Sequence, residues 1–299
     1  PDGGMTWTNR PFAYLSHIAQ LTVGTKGTWY AQVKGLGLLC SKDHGQAWTA
    51  LELPFVPEGH VYCAAGPSGL FAASKEHGPY LSTNQGRTWT KATQGLPQGG
   101  VHALRSDFQG QVYLVTSDGQ GCYRFGQGGW QKIKAHDGHA YSAWDLMFLP
   151  QGDAVIYGYN DILISRAGKD SWHRERFGQA FRSLWVDEKG ELWTERMMST
   201  FVYSPEDEIW HLREKSGHDG YTRFEHIQGR RFLALGRDKG LDVVQSRGRA
   251  LQVLNRCLPQ TKILTAAVAR DGSLLAGTEN GLFGSRDQGR TWEKISVQP

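Results

Sequence analysis

Polar side chains that could do chemistry recur at one position of a repeated pattern. Each lies 28 to 31 residues before a tryptophan or leucine that closes a short turn motif; His17, for example, precedes Trp48 by 31 residues. If the repeats fold alike, these side chains form one ring, and converging polar groups are what a ligand-binding pocket requires. The predicted ring consists of His17, His60, His102, Tyr141, Arg182, Arg223 (or Tyr221) and Lys262.

Three members of the ring are histidines from consecutive repeats. Three imidazoles could together bind zinc, manganese or iron. Single histidines are also commonly ordinary polar groups with a hydrogen-bond partner. The sequence therefore makes His17, His60 and His102 weak metal-site candidates. Neither a metal nor a cofactor is the favoured expectation.

Arginines form a second group of candidates near predicted strand ends. Guanidinium groups bind a carboxylate or a phosphate in a bidentate manner, so a cluster of them could hold an acidic ligand. The alternative is a basic edge exposed to water. The candidates are Arg182, Arg196, Arg223 and Arg237.

Two loops repeat the order histidine, aspartate, glycine. They are His136-Asp137-Gly138 and His218-Asp219-Gly220. A histidine beside a carboxylate could act as an acid–base pair, although Asp-Gly is also an ordinary turn dipeptide. Glycoside hydrolysis would need two carboxylates about 5–10 Å apart across a cleft. The carboxylates that could serve are Asp137, Glu195, Asp219 and Asp238.

A turn motif spaced by 41 residues must position all of these groups. Three segments, which we call the repeat turns, carry it in full, and Asp2–Trp7 carries a shorter copy. Spacing this regular predicts stacked or radial repeats. In each turn an Asp or Asn can accept backbone hydrogen bonds and a Gly can adopt a positive φ. The repeat turns are Ser41–Trp48, Ser82–Trp89 and Ser285–Trp292.

The motif closely resembles the Asp-box, or BNR repeat, over the whole chain. That repeat occurs in β-propellers of the sialidase, xyloglucanase, sortilin and photosystem II assembly-factor families. The resemblance implies an all-β propeller with the ligand usually on the face opposite the boxes. The sequence lacks the sialidase Arg-Ile-Pro signature, because Asn9-Arg10-Pro11-Phe12 follows a box instead of preceding one.

Four short strands fit between successive turns. We therefore predict a single β-propeller of seven four-stranded antiparallel blades across residues 14–299. Residues 1–13 would be a surplus hairpin or a closure strand. Eight blades, with an incomplete first blade, are the alternative.

Charge and composition narrow the range of functions that the sequence predicts. The net charge is only +4 and the sequence has no run of basic residues, so nucleic-acid binding is not predicted. No apolar run is long enough to predict membrane insertion. The four cysteines have no paired spacing and are expected to be small buried residues.

The favoured function is a non-enzymatic binding or assembly module for a protein or glycan ligand, possibly acidic. A carbohydrate-active hydrolase or lyase is the alternative. Family resemblance alone favours secretion or a periplasmic location. The sequence leaves the oligomeric state open.

Overall fold

A computed structural model describes most of the chain. The described residues are 18–24, 27–34, 36–43, 45, 47–56, 59–119, 121–167, 169, 171–176, 183–187, 189, 191–196, 199–204, 209–213, 220–236, 240–247, 250–258, 261–269 and 271–295. Residues 1–13, predicted as a surplus hairpin, lie outside this set, so that prediction and the eight-blade alternative remain open.

The described residues form 28 strands and no helix. The first sixteen are β1 (Ile18–Val23), β2 (Trp29–Val33), β3 (Gly37–Ser41), β4 (Thr49–Ala50), β5 (Val61–Gly66), β6 (Gly69–Ser74), β7 (Tyr80–Ser82), β8 (Thr90–Lys91), β9 (Val101–Ser106), β10 (Val112–Thr116), β11 (Cys122–Gly126), β12 (Gly129–Lys132), β13 (Asp145–Phe148), β14 (Ala154–Tyr157), β15 (Asp161–Ser165) and β16 (Trp172–Arg176). The other twelve are β17 (Ser183–Val186), β18 (Leu192–Arg196), β19 (Ser199–Ser204), β20 (Ile209–Leu212), β21 (Tyr221–Gln228), β22 (Arg231–Gly236), β23 (Gly240–Arg247), β24 (Ala250–Arg256), β25 (Ile263–Val268), β26 (Leu274–Thr278), β27 (Gly281–Ser285) and β28 (Glu293–Lys294).

These strands fall into seven successive antiparallel groups of four. We call the groups blades one to seven and the strands of each blade A to D. Blades five and six are joined into one sheet because Val186 of β17 pairs with Tyr221 of β21. The A strands lie side by side around a central channel, and β1 packs against β25 to close the ring. The fold is therefore all-β, and the described blades agree in number with the seven predicted.

The core lies between the blades. The B strands β2, β10 and β26 are buried along their whole length because a neighbouring blade covers each of their faces. At the ring closure, Ile18 and Leu21 of blade one pack against Leu275 and Leu282 of blade seven. Apolar burial at such interfaces stabilises the ring by roughly 25 cal/mol per Å².

Side-chain hydrogen bonds build the repeat turns as the sequence predicts. In the first turn, Oδ1 of Asp43 accepts from the backbone N–H of Ala47 at 2.9 Å, and the Ser41 hydroxyl accepts from the N–H of Gly45 at 2.8 Å. Gly45 has a φ of 85°, which favours glycine. The corresponding carboxamide and carboxylate of Asn84 and Asp287 each accept a backbone N–H at 2.9 Å. The expected bonds within these three turns are confirmed.

Because strands alternate in direction, the A–B and C–D turns share one side of the ring. We call this side the repeat-turn face and the other side the opposite face. All four cysteines are buried free thiols, as expected from their spacing. Across the described residues, no helix is long and apolar enough to cross a membrane.

Candidate functional site: the central channel

Only some residues of the predicted polar ring lie within the described part of the chain. His60 and His102 are exposed at the opposite face, at or just before the start of β5 and β9. The His60 ring packs edge-on against Tyr62 with the centroids 4.6 Å apart. Lys262 is exposed and forms an ion pair with Glu279 at 2.5 Å. His17 and Arg182 lie outside the described residues.

Two tyrosines predicted to bind ligand lie in the core instead. Tyr141 is 5% exposed, and its hydroxyl donates to the carbonyl of Ile133 at 2.9 Å. Tyr221 is fully buried, and its hydroxyl donates to Oδ2 of Asp242 at 2.7 Å. Both phenolic groups have protein partners, which is the usual state of a buried tyrosine hydroxyl. This arrangement corrects the prediction that they face the channel mouth.

Aligning the A–B turns shows which residue of blade four takes the ring position. Backbone hydrogen bonds close equivalent turns from Asp107 to Gln111 at 3.0 Å and from Leu149 to Asp153 at 2.8 Å. His102 lies five residues before Asp107, and Trp144 lies five residues before Leu149. Counting back from the A–B turn, instead of from the tryptophan that closes the blade, would have found Trp144.

Trp144 forms an exposed aromatic pair with Tyr159 on the opposite face. Their ring centroids are 5.6 Å apart, and the side chains are 39% and 53% exposed. The backbone below the pair is fixed, because the Ser142 hydroxyl accepts from the N–H of Tyr159 at 2.9 Å. No sequence pattern predicted this pair.

A cavity of about 330 Å³ opens in the central channel. Its wall comes from the A strands and A–B turns of blades one, two, three, six and seven. The turn residues Gly24, Pro67 and Gln109 form its rim, so it opens on the repeat-turn face. The sequence had placed the ligand on the opposite face. The side chains that matter below are Gln20, Cys63, Arg105, Phe108, Arg223 and Glu225.

Two partly buried ion pairs lie at this channel. Nη2 of Arg105 is 2.7 Å from Oδ2 of Asp145, which joins blade three to blade four. Nε of Arg223 is 2.9 Å from Oε1 of Glu225 on the same strand. Burial raises the pKa of the Glu225 carboxyl, and the Arg223 and Arg105 charges oppose that rise. The charges of the two pairs balance.

The positive charges of Arg105 and Arg223 affect the same two titratable groups. Burial raises the pKa of the Cys63 thiol to about 12, and both guanidinium charges oppose that rise. Burial also raises the pKa of the Tyr157 hydroxyl, and the same two charges again oppose the rise. Arg105 and Arg223 therefore converge from different blades. Arg223 was a sequence candidate, whereas Arg105 was missed because it lies within a strand.

An aromatic cluster borders the cavity on one side. Phe108, from an A–B turn of blade three, packs against Phe148 of blade four with the centroids 6.4 Å apart. The same ring is 5.3 Å from Phe232 and 6.1 Å from His226, both in blade six. The cavity thus combines an apolar side at its rim with charged groups deeper in the channel.

Gln20 holds three A strands together beside the charged groups. Its Nε2 donates to the carbonyls of Cys63 at 2.5 Å and Leu104 at 3.3 Å, and its Oε1 accepts from the Cys63 N–H at 3.1 Å. A buried amide with these bonds fixes the relative positions of blades one, two and three. The channel wall is therefore preorganised.

The predicted catalytic carboxylates do not assemble into a visible pair. Asp137 lies in an exposed turn, where its carboxylate accepts from the N–H of His139 at 3.0 Å and from Arg174 at 3.2 Å. The hydrogen bond from His139 and the charge of Arg174 lower the pKa of Asp137. This geometry fits the turn interpretation. Asp219 and Asp238, as well as Arg237, lie outside the described residues, and so do the side chains of Glu195 and Arg196.

Within the described ranges, no cluster of side chains supports the metal-site prediction. Among these residues, no three His, Cys, Asp or Glu side chains are grouped as metal ligands. His17, one of the three candidates, is outside those ranges.

A larger groove of about 600 Å³ lies between blades four and five. Arg166 lies at its edge, paired with Asp153 at 3.2 Å and placed 5.6 Å from the ring centre of Tyr203. We favour the channel as the candidate site because five blades contribute to it, whereas the groove is lined by residues of two blades.

Comparisons with known proteins show the fold. No family model matches the sequence, and a search of curated proteins finds no match. YCF48, solved with a bound D1 peptide, is 14% identical with a TM-score of 0.57, covering 93% of this chain and 96% of that one. The WD40 β-propeller domain of Doa1 is 13% identical with a TM-score of 0.56, covering 92% and 95%.

A third similar structure is the extracellular domain of the hybrid two-component system BT3049 from B. thetaiotaomicron. It is 12% identical with a TM-score of 0.59, and the match covers 91% of this chain but 40% of that one. Likeness at this level of identity establishes architecture and not activity. Together with the ring of four-stranded sheets, it shows that the chain folds as a β-propeller.

Proposed function

We propose that this protein is a non-enzymatic binding module that takes an acidic group of a protein partner into its central channel. The observation that carries the proposal is the convergence of Arg105 and Arg223 at a cavity of about 330 Å³. A guanidinium presents five N–H donors in a planar fork that matches a carboxylate. Arg223 uses only its Nε on Glu225, so within the described residues both of its Nη groups lack a partner.

Rigid placement of these donors supports binding. Gln20 and the Arg105–Asp145 pair connect four blades around the channel, so little conformational order remains to be gained when a ligand binds. A preorganised site loses less free energy on binding than a flexible one. The aromatic cluster around Phe108 would contact the apolar part of a ligand whose acidic group lies deeper.

A protein ligand is favoured over a glycan by the fold comparison. YCF48 has been solved with a D1 peptide, and its chain matches this one over nearly its whole length. At 14% identity this likeness supports the class of ligand only. A carboxylated glycan would present the same chemical group to Arg223 and is the second outcome that the experiment must distinguish.

We also infer that the repeat turns are Asp-boxes and that the chain belongs among the propellers that contain them. Support comes from three turns in which the Ser hydroxyl accepts from the Gly N–H and the Asp or Asn side chain accepts from a backbone N–H four residues on. These bonds stay within each turn, at the outer part of a blade. The motif therefore has a structural role and leaves ligand binding to the channel.

The proposal can be tested with an array of acidic peptides and carboxylated glycans. We expect acidic peptides to bind, and binding to weaken as salt rises, because exposed charges are screened over about 8–10 Å at physiological ionic strength. Arg223→Gln should lose at least tenfold in affinity. Arg290→Gln is the matched control, since Arg290 is an exposed arginine in an outer turn.

Two results would contradict the proposal. Binding that is insensitive to Arg223→Gln and lost in Arg290→Gln would place the site at the outer turns. Binding of glycans without peptides would keep the channel as the site but reject a protein partner.

A further inference from the structure

Glu225 is paired with the guanidinium group of Arg223, the same group that the proposed ligand would bind. Its Oε1 accepts from Nε of Arg223 at 2.9 Å, and the two side chains are 27% and 26% exposed. In the described part of the chain neither residue has another hydrogen-bond partner. A ligand carboxylate bound to Arg223 would therefore lie close to the Glu225 carboxylate.

The balance of charge around Arg223 and Glu225 would change when an acidic ligand binds. The pairs Arg105–Asp145 and Arg223–Glu225 hold two guanidinium groups and two carboxylates, and Asp107 adds a further carboxylate to the cavity wall. A bound acidic group adds one more negative charge in a partly buried space. Two carboxylates that share one site cannot both remain ionised without a large cost, so one of them tends to take up a proton.

We propose that Glu225 takes up a proton from solvent when an acidic ligand group binds to Arg223, so that binding and protonation are coupled. This inference rests on the proposed function. The proton goes to a Glu225 carboxyl oxygen, and no covalent bond to the ligand forms. Protonated Glu225 can then donate a hydrogen bond to the ligand carboxylate.

Other groups around Glu225 are less able to supply this coupling. Burial raises the pKa of Cys63 to about 12 and raises the pKa of Tyr157, so both stay neutral near pH 7. Burial raises the pKa of Asp107 as well, but its carboxylate accepts hydrogen bonds from the backbone N–H groups of Gln109 and Gln111, at 2.9 and 2.8 Å, which favour its ionised form. Asp145 is held by Arg105.

Histidines near the channel need a separate control. His226 follows Glu225 on the strand and bonds to the Gly229 carbonyl at 2.9 Å. An imidazole that lines the cavity could also take up the proton in place of Glu225. The variant His226→Gln separates this contribution from that of Glu225. Burial and the nearby Arg105 charge lower the pKa of His60, which lies towards the opposite face.

The sign of the pH dependence follows from linkage. Burial already raises the pKa of Glu225 in the free protein, and a bound carboxylate raises it further. Between these two pKa values, binding takes up a proton, so affinity falls as pH rises. The slope cannot exceed about tenfold in affinity per pH unit for one proton.

The experiment uses glutarate as the probe, titrated calorimetrically from pH 6 to pH 8 in buffers of different ionisation enthalpy. Both glutarate carboxylates are then largely ionised, as their similarity to a Glu side chain with a pKa of about 4.3 indicates. We expect proton uptake by the wild type and by His226→Gln. Glu225→Gln should bind more tightly than the wild type at pH 8, without uptake.

The outcomes separate this inference from the proposed function. Glutarate binding that requires Arg223 but shows no proton uptake, and the same affinity in Glu225→Gln, would overturn the coupling and leave the channel site intact. Uptake that persists in Glu225→Gln and disappears in His226→Gln would assign it to the histidine. Failure of both wild type and Glu225→Gln to bind at every pH would reject the channel site itself.

Discussion

The indole Nε1 of Trp89 donates a hydrogen bond to the backbone carbonyl of Glu52, 3.0 Å away in the preceding blade. Trp130 makes the same connection to the carbonyl of Ala92 at 2.7 Å. In contrast, Trp48 and Trp292 donate within their own turns, to Gly45 and Gly289. The regularly spaced tryptophans thus close turns at some positions and join neighbouring blades at others.

Replacing Trp130 by Phe should weaken the junction between blades two and three. The ring would still pack near Phe71, but the Ala92 carbonyl would lose its indole donor. We expect a loss of about 1–3 kcal/mol in the free energy of unfolding, because the partly buried Ala92 carbonyl is left without its donor. Urea unfolding would measure it. Gln131→Ala, an exposed change on the same strand, should stay within about 0.5 kcal/mol.

Asp43→Ala should destabilise the first repeat turn without affecting ligand binding. The substitution removes the acceptor for the Ala47 N–H and the partner of the Ser41 hydroxyl. A cost of about 1 kcal/mol is expected for a lost turn hydrogen bond. Lys42→Ala, at the exposed neighbouring position, serves as the control in the same melt. An Asp43→Ala protein that folds with normal stability but no longer binds peptides would show that the turn is part of the site.

The third repeat turn should contribute a pH-dependent stability. Hydrogen bonds from the side chain and backbone of Thr291 lower the pKa of Asp287 to about 2. A folded-state pKa below the unfolded value means that the contribution is full above about pH 4, near the ordinary Asp pKa, and is lost as the pH falls towards the folded value. Asp287→Asn should flatten this part of the stability profile.

Asn is a suitable replacement because Asn84 occupies the equivalent position and already makes the same backbone bond. Unfolding by urea between pH 2 and pH 5 would compare the two proteins. An equal decline of stability in wild type and Asp287→Asn would show that Asp287 is not responsible.

The repeated turns carried most of what the sequence could reveal about the fold. Serine, aspartate and glycine at fixed spacing act locally, so their hydrogen bonds and the four-stranded repeats could be predicted without knowledge of tertiary contacts. The channel site was harder, because loops of different length separate each A strand from the preceding tryptophan. Counting from that tryptophan selected Tyr141 in place of Trp144.

Arg105 and Glu225 left only a weak signal in the sequence. Arg223 and Glu225 lie two residues apart on one strand, so their side chains share a face, which could have suggested the pair. The contact between Arg105 and Asp145 joins different blades and depends on how the ring closes. No local pattern specifies that distance.

The two faces of the channel can be distinguished by a final prediction. The cavity opens on the repeat-turn face, whereas Trp144 and Tyr159 are exposed on the opposite face. A double replacement of these two aromatics by Ala should leave glutarate affinity within about twofold, which is less than 1 kcal/mol, because neither side chain lines the cavity. Arg223→Gln should lose at least tenfold in the same calorimetric titration.

Stability gives the control for this comparison. Since both aromatic side chains are substantially exposed, the double variant should unfold at nearly the wild-type urea concentration. If a stably folded double variant loses glutarate binding while Arg223→Gln retains it, the ligand enters from the opposite face. The site would then lie at the aromatic pair, on the side of the ring that the sequence first indicated.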